Sequence, residues 1–314
     1  MNTRQLLLRT LLALCLAAIV AAPGIAGNRS GTVSEQFLKI GTSARAIAIG
    51  GAEVAVADGV SSLAFNPSGI LSVDNYGVGL TYTSWPADIQ HSFFGLVKNL
   101  PGIGAVGFDV VMLTTGDMVE TTPAYPEGTG QNFRASDFAF GVAYARQVTD
   151  QFQLGVHGKI IKSYLYNDEI GASSFAFDIG TLYWIPQLKS HIGVSLTNIG
   201  KDVQFLQEPY SLPTALRFGV LVDVVKEENQ SLVTTLQITR LNDADEQYNV
   251  GAEYVFNNFV ALRGGWKFFY DQENLTAGFG VKLNSFGFNG TLDYAYNNFK
   301  YLPGTHSFTF EVQF

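Results

Sequence analysis

Histidines, acidic clusters and glycine-rich turns are the places where this 314-residue chain could do chemistry, and none is spaced for it. His91, His157, His191 and His306 fall on different segments, with no H-E-x-x-H or other paired spacing that would hold zinc. His157 is expected near an inner surface beside Lys159, in a structural role. Gly102, Gly104 and Gly107 satisfy G-x-G-x-x-G, but a dinucleotide site needs a parallel strand before the glycines and a helix after them. Here they lead into the alternating stretch GAVGFDVVM and read as a tight turn. No G-x-S-x-G elbow occurs, and Asp243, Asp245 and Glu246 resemble a calcium-attracting loop only loosely, so they are read as a solvated connection. The single cysteine, Cys15, lies in an N-terminal apolar run, which leaves the rest of the chain without disulfides or thiolate metal sites. These residues predict no catalytic group, no metal and no cofactor.

The remaining charged residues point to a different use, because they recur on one face of alternating segments. Residues 306–314 read HSFTFEVQF, so Phe308, Phe310, Val312 and Phe314 share one face while Ser307, Thr309, Glu311 and Gln313 share the other. Leu275, Ala277, Phe279, Val281 and Leu283 likewise oppose Thr276, Gly278, Gly280 and Lys282. Leu262, Trp266, Phe268 and Tyr270 oppose Arg263, Gly265 and Lys267, and Phe286, Phe288, Leu292, Tyr294 and Tyr296 oppose Asn289, Thr291, Asp293 and Ala295. Arg217, Asp223 and Glu253 join Arg263, Lys267, Lys282 and Asp293 on the expected inner face. In a lumen such charges can satisfy one another or hold water, whereas a Lys or Arg facing lipid near the midplane costs roughly 2–4 kcal/mol.

Fourteen such segments are legible: 76–84, 91–97, 104–113, 136–146, 152–166, 174–184, 191–199, 214–224, 232–240, 247–256, 260–270, 275–283, 286–296 and 306–314. An even count suits a closed single-chain barrel with both ends of the meander on the periplasmic side. Long connections at 114–135, 167–173, 200–213 and 297–305 alternate with tight ones at 147–151, 257–259 and 284–285, as external loops alternate with periplasmic turns. Aromatics near segment ends, among them Tyr76, Tyr82, Trp85, Tyr164, Tyr166, Tyr183, Trp184, Tyr270, Tyr294 and Tyr296, are expected to form interfacial girdles. The predicted fold is all-β: a 14-stranded antiparallel transmembrane β-barrel with a small N-terminal plug containing short helices.

Arg4 and Arg9 precede an apolar run from Leu11 to Ala22, and Gly24 and Ala26 supply small residues for cleavage. Residues 1–26 therefore read as a secretory signal peptide, 27–73 as a plug and 74–314 as the barrel. Removing the signal peptide takes away two arginines and no acids, which moves the formal charge from −8 to −10 and argues against a nucleic-acid partner. Outer-membrane lipid is the expected surroundings, in a Gram-negative-type bacterium.

Residues 37–70, FLKIGTSARAIAIGGAEVAVADGVSSLAFNPSGI, carry a specific pattern, with a weak helical reading over 44–57. Gly41 with Ala44, Arg45 and Ala46, then Gly50, Gly51 and Ala52, then Asp58, then Asn66, Pro67, Ser68 and Gly69 follow the order of the opening signature of the PorV/PorQ family of outer-membrane proteins, which the segment resembles. Ser68 stands where that family usually has alanine, and Ile49 where methionine is frequent. The Asn-Pro element also resembles the hatch of FadL-type fatty acid transporters, whose fold is a plugged fourteen-stranded barrel. A terminal aromatic, with Phe310, Val312 and Phe314 on one face, resembles the signal read by the outer-membrane barrel assembly machinery. Two roles are implied by resemblance: receiving cargo proteins at the cell surface as a type IX secretion component, or passing a hydrophobic small molecule such as a fatty acid or hydrocarbon through the plugged lumen.

Overall fold

The structure, a computed structural model, describes residues 31–166, 170–283 and 289–314. The segment expected to be a signal peptide, the expected tight turn at 284–285 and the first three residues of the segment read at 286–296 lie outside the described residues. Fourteen strands form the wall: β1 (Tyr76–Ser84), β2 (Gln90–Leu100), β3 (Gly104–Thr114), β4 (Ser136–Thr149), β5 (Phe152–Tyr164), β6 (Gly171–Ile185) and β7 (Ser190–Gly200). They continue as β8 (Ala215–Lys226), β9 (Gln230–Leu241), β10 (Gln247–Phe256), β11 (Val260–Phe268), β12 (Glu273–Lys282), β13 (Asn289–Phe299) and β14 (Thr305–Gln313). Each pairs antiparallel with its sequence neighbours, and β1 closes on β14 through a ladder from Gly77 with Gln313 to Ser84 with His306. Closure leaves no unpaired sheet edge, which is the condition for strands to cross lipid.

The period-two pattern fixes which face is which. On β14, Ser307 and Thr309 are buried while Phe308 is half exposed, and on β11 Arg263 is buried while Leu262 and Trp266 face out. Among the described residues no protein layer covers the apolar residues on the outside, the arrangement of a barrel whose wall meets lipid. Among the described residues no helix is long and apolar enough to cross a membrane. Chain entry and exit lie at one end of the barrel, where the Tyr76 N–H donates to the Phe314 carbonyl at 2.9 Å. Short turns such as 101–103 and 257–259 lie at that end, and longer connections such as 115–135 and 201–214 lie at the other.

Four aromatic positions at strand ends need correction. Trp85 and Trp184 continue the inner parity of β1 and β6; Trp85 meets Phe299 edge to face with ring centres 5.4 Å apart, and Trp184 meets His191 at a tilt at 4.5 Å, instead of joining a girdle. Phe269 takes φ +62°, which reverses the alternation after β11, so Tyr270 turns inward and shares a 2.9 Å hydrogen bond with Asn249. Tyr166 lies past the end of β5 and donates to Glu120 of the 115–135 connection at 2.5 Å. Tyr76, Tyr82 and Tyr183 do stand on the outer face, each a little over 40% exposed.

The lumen is filled by residues 33–73. A 3-10 turn (Gln36–Lys39), a short helix α1 (Ala44–Ala48) and two further 3-10 turns (Val60–Ala64 and Pro67–Ser72) are joined by irregular chain. The helix is shorter than the alanine-rich pattern suggests because Gly50 and Gly51 both take positive φ and turn the chain along the wall.

Candidate functional site at the plug and the loop rim

A buried plug with so little regular structure must bond its backbone elsewhere, and wall side chains supply the partners. Thr81 donates to the Thr42 carbonyl at 2.7 Å and Thr309 accepts from the Ala44 N–H at 2.8 Å. Thr276 donates to Ala48, Asn249 to Gly50 and Thr235 to Ala52, at 2.9, 2.6 and 3.1 Å. Gln237 accepts from Val54 at 2.9 Å, and Glu311 accepts from Val60 and Ser61 at 3.1 and 2.9 Å. Each of these wall residues lies on the inner parity of its strand, so the wall and the plug bond along the whole path.

The wall also makes room. A Cβ at Gly193 would fall on the Val54 carbonyl, one at Gly251 on that of Ile49, and one at Gly155 on the peptide joining Pro67 and Ser68. Glycine at these inner positions allows plug backbone to lie directly against strand backbone.

Arg45 is the ionic centre of the plug. Its guanidinium meets both oxygens of Glu253 at 2.8 Å and Asp58 at 2.5 Å. Glu253 also accepts from Arg263 at 2.5 Å, and Arg263 reaches Asp293 at 2.6 Å. Burial opposes the Arg45 charge, but the carboxylates of Asp58 and Glu253 more than offset it and hold the guanidinium above its ordinary value. The chain thus runs from the plug into β10, β11 and β13.

The other positions singled out from the sequence are distributed as follows. Gly41 packs on Ile47, Gly50 takes the hydrogen bond from Asn249, and Gly51 extends the same turn. Asn66 caps the turn that Pro67 begins: its Oδ1 accepts from the Ser68 hydroxyl at 2.7 Å, and its Nδ2 donates to the carbonyls of Val54 at 2.8 Å and Thr181 at 3.2 Å. Gly69 packs against the backbone of Ala57. Arg217 lies 3.8 Å from Glu53 and bonds Thr197, Asp223 lies 3.6 Å from Lys226, and Lys267 pairs with Glu273 at 3.1 Å. Lys282 faces a cavity at the short-turn end. Phe310 and Val312 are half-buried, and Phe314 is exposed and stacks on Tyr76 with ring centres 5.8 Å apart.

Several plug partners were not legible. Asp243, read as solvated, is buried because Lys39 reaches both its oxygens at 2.6–2.7 Å and Gln36 adds a longer bond. His157 bridges Asp109 at 2.8 Å and Asp178 at 2.9 Å, while Lys159 also meets Asp178 at 2.8 Å. Asp178 faces an irregularity in the β6–β7 ladder, where Asn198 takes φ +61° and donates its N–H to the carboxylate at 2.6 Å. Inner parity was the available signal for Asp109 and Asp178, but nothing in the spacing shows that one histidine joins them. At the loop end, Val33 bridges Ser211 and Glu35 accepts from the Ser163 hydroxyl at 2.6 Å. Burial, with Asp137 nearby, pushes the Glu35 carboxyl up to about 7 against the pull of Ser163.

Among the described residues, two cavities inside the barrel adjoin the plug. One of about 260 Å³ opens at the short-turn end among Arg45, Asp58, Glu253, Arg263, Lys282 and Glu311. The other, about 30 Å³, lies between residues 37–42 and the wall at Asp109, His157, Lys159 and Arg217, and is about the size of one water. An apolar groove of about 420 Å³ follows the outer face beside Leu80, Phe94, Met112 and Phe308. Among the described residues no group of three or more His, Cys, Asp or Glu side chains is placed to hold a metal ion.

The loop end differs from the interior. The 115–135 connection carries its own two-strand ribbon, Met118–Val119 against Asn132–Phe133, and Val119 and Tyr125 are exposed on it. Leu206 on the 201–214 connection and Tyr301 on 300–304 are 76% and 83% exposed.

The family described as type IX secretion system protein PorV matches residues 25–248. No curated protein matches the sequence. Among solved structures, the toluene transporter TbuX of Ralstonia pickettii is similar at 14% identity, over 87% of this chain and 98% of its own, with a TM-score of 0.60. The CymD monoaromatic hydrocarbon channel is similar at 12% identity, over 87% and 96%, with a TM-score of 0.59. A Pseudomonas aeruginosa FadL homologue is similar at 10% identity, over 93% and 99%, with a TM-score of 0.54. At such identities the likeness is one of fold, and with the closed ladder and the apolar exterior it describes an outer-membrane barrel.

Proposed function

From the premise that the chain belongs to the PorV family of type IX secretion system proteins, matched over residues 25–248, we propose that it is a non-enzymatic component that receives cargo proteins at the cell surface. The observation that carries this reading is the exposure of Val119, Tyr125, Leu206, Tyr301 and Leu302 on connections standing beyond the strand ends, where lipid does not cover them. Large apolar side chains exposed on three connections of one rim offer protein partners apolar contacts at that end. In an outer-membrane barrel the end with long connections faces outward. The plug motif, from Gly41 to Gly69, would then serve as a stopper that keeps the envelope sealed while the rim works. Phe310, Val312 and Phe314, aligned outward, fit recognition of the closing strand by the barrel assembly machinery.

The second reading, passage of a hydrophobic small molecule, draws on the descriptions of TbuX and CymD. It needs an apolar route past the plug. The cavities beside the plug are instead lined with charged groups in one case and water-sized in the other, and the apolar groove lies outside the wall. These features favour the secretion reading.

Affinity purification from envelopes in mild detergent, followed by identification of bound proteins and extracted lipids, separates the two. Secretion-system proteins are expected with the wild type and not with a Tyr125→Ser, Tyr301→Ser, Leu302→Ser variant. Fatty acid or hydrocarbon as the sole companion would favour transport, and a clean monomer carrying neither would overturn both.

A further inference from the structure

On the outer face of β5 and β6, Val156, Ile160, Phe175 and Phe177 are 45–56% exposed and make a continuous apolar surface for lipid chains. One step nearer the loop end the character changes. Lys162 stands between Phe138 and Ser173 in the ladders, on the same parity as Ile160. Lys201, whose N–H bonds the Phe175 carbonyl at 3.2 Å, stands alongside. Both lysines line one groove of about 760 Å³, walled also by Tyr164, Ser173, Gln204 and Pro209. Among the described residues neither ammonium has an ion pair or a hydrogen bond. Other cations at this rim are engaged: Arg240 lies 3.9 Å from Glu246, and Lys300 donates to the carbonyls of Tyr270 and Asp271 at 3.2 Å.

We propose that this groove binds the phosphate-bearing headgroup of an outer-leaflet glycolipid. Two unpaired ammonium groups at the boundary between apolar wall and water sit at the level where lipid phosphates lie, and lysine there extends its charge toward the headgroups while its stem stays on the wall. The acyl chains would rest on Ile160, Phe175 and Phe177 directly below. Among the described residues that line the groove Asp202 is the one carboxylate, which leaves their net charge at +1. Attraction then depends on two defined donors and not on a broad positive field. The apolar row and the charged step together fit an amphiphile, where either alone would fit only a lipid tail or a free anion.

The test is native mass spectrometry of the purified full chain in detergent, titrated with a diphosphorylated disaccharide lipid, with its dephosphorylated form and with inorganic phosphate. Wild type and Arg240→Gln should retain the diphosphorylated lipid at least tenfold more tightly than Lys162→Gln/Lys201→Gln. Lys162→Arg/Lys201→Arg should retain it like wild type, and all variants should keep the heat-modifiable migration of a folded barrel. Should the glutamine pair fail to fold, the arginine pair and the dephosphorylated lipid on wild type decide. Equal retention of the dephosphorylated lipid, loss of binding in the folded arginine pair, or an equal loss in Arg240→Gln would overturn the proposal. So would full displacement of the lipid by millimolar inorganic phosphate, which would make the site one for free anions.

Discussion

At the scale of the residue, Arg45 and Glu35 set how firmly the plug sits. Arg45 was legible as a motif residue, and Glu253 and Arg263 were legible as inner-face charges. Their meeting was not, because it joins positions 208 residues apart and depends on how the plug threads the barrel. Removing one partner from a buried ion pair typically costs about 3–5 kcal/mol; Glu253 would keep Arg263, so Arg45→Ala should loosen the plug by about 3 kcal/mol, the lower end. The expected readouts are a lower heat-modification midpoint and new conductance bursts in planar bilayers; an unchanged, silent variant would remove Arg45 from this role. Glu35 gives the plug a pH dependence. Its carboxyl rises from an ordinary 4.5 to about 7 when seated, so the seated state binds a proton more readily than the released one. Seating at the loop end is therefore strongest below about 4.5, weakens as pH rises through about 7, and is level above that. Labelling of a cysteine introduced at the buried Val33, taken relative to a free thiol at each pH, should accelerate across that interval, and Glu35→Gln should flatten the profile. Asp243 shows why the sequence hid these contacts: an acidic loop reads as solvated unless its partner, Lys39, is known to arrive from 204 positions away.

At the scale of the element, alternation was enough to find all fourteen strands, and β1 and β10 were read with the boundaries they have. It failed where a strand ends. Trp85 and Trp184 kept the inner parity past their expected girdle positions, and the positive φ of Phe269 reversed it for Tyr270. Local geometry of that kind leaves no periodic trace. The inner glycines do leave one, since Gly155, Gly180, Gly193, Gly219, Gly251 and Gly265 all occupy the lumen parity, a placement that weakens strands unless another backbone approaches. Gly193→Val tests that explanation. Valine suits a strand, so the ladder should form, but its side chain would meet the Val54 carbonyl and force the plug away, an overpacking cost of about 1–3 kcal/mol. Protease should then cut within residues 50–60 of a barrel that still migrates as folded. Gly158→Ala is the control, because a Cβ there makes only ordinary contact, 3.4–3.5 Å from the Phe177 ring. Equal protection in both variants would mean that the glycines answer some other need.

At the scale of the whole molecule, the question is whether plug and wall are one cooperative unit or a ring with a removable core. The β1–β14 ladder closes the barrel through eight residue pairs and needs nothing from residues 33–73. Much of the inner wall can also satisfy itself without the plug: Arg263 keeps Glu253 and Asp293, and His157 and Lys159 keep Asp178. Of the groups that would lose partners, Thr81, Asn249, Thr276 and Gln237 are neutral, and water entering the lumen can bond them at little cost. Asp243, Arg217 and Glu311 are charged and would lose Lys39, Glu53 and the Val60 and Ser61 N–H groups, so their hydration in the opened lumen sets the loss of stability. The outward apolar surface would still be covered by lipid. Deleting residues 27–73 while keeping residues 1–26 should therefore yield a heat-modifiable barrel of reduced stability. It should conduct ions steadily in planar bilayers, where the full chain should be nearly silent. If the deletion instead yields no folded barrel in refolding from denaturant, the wall depends on the plug as a nucleus, and ring and stopper are a single unit of folding.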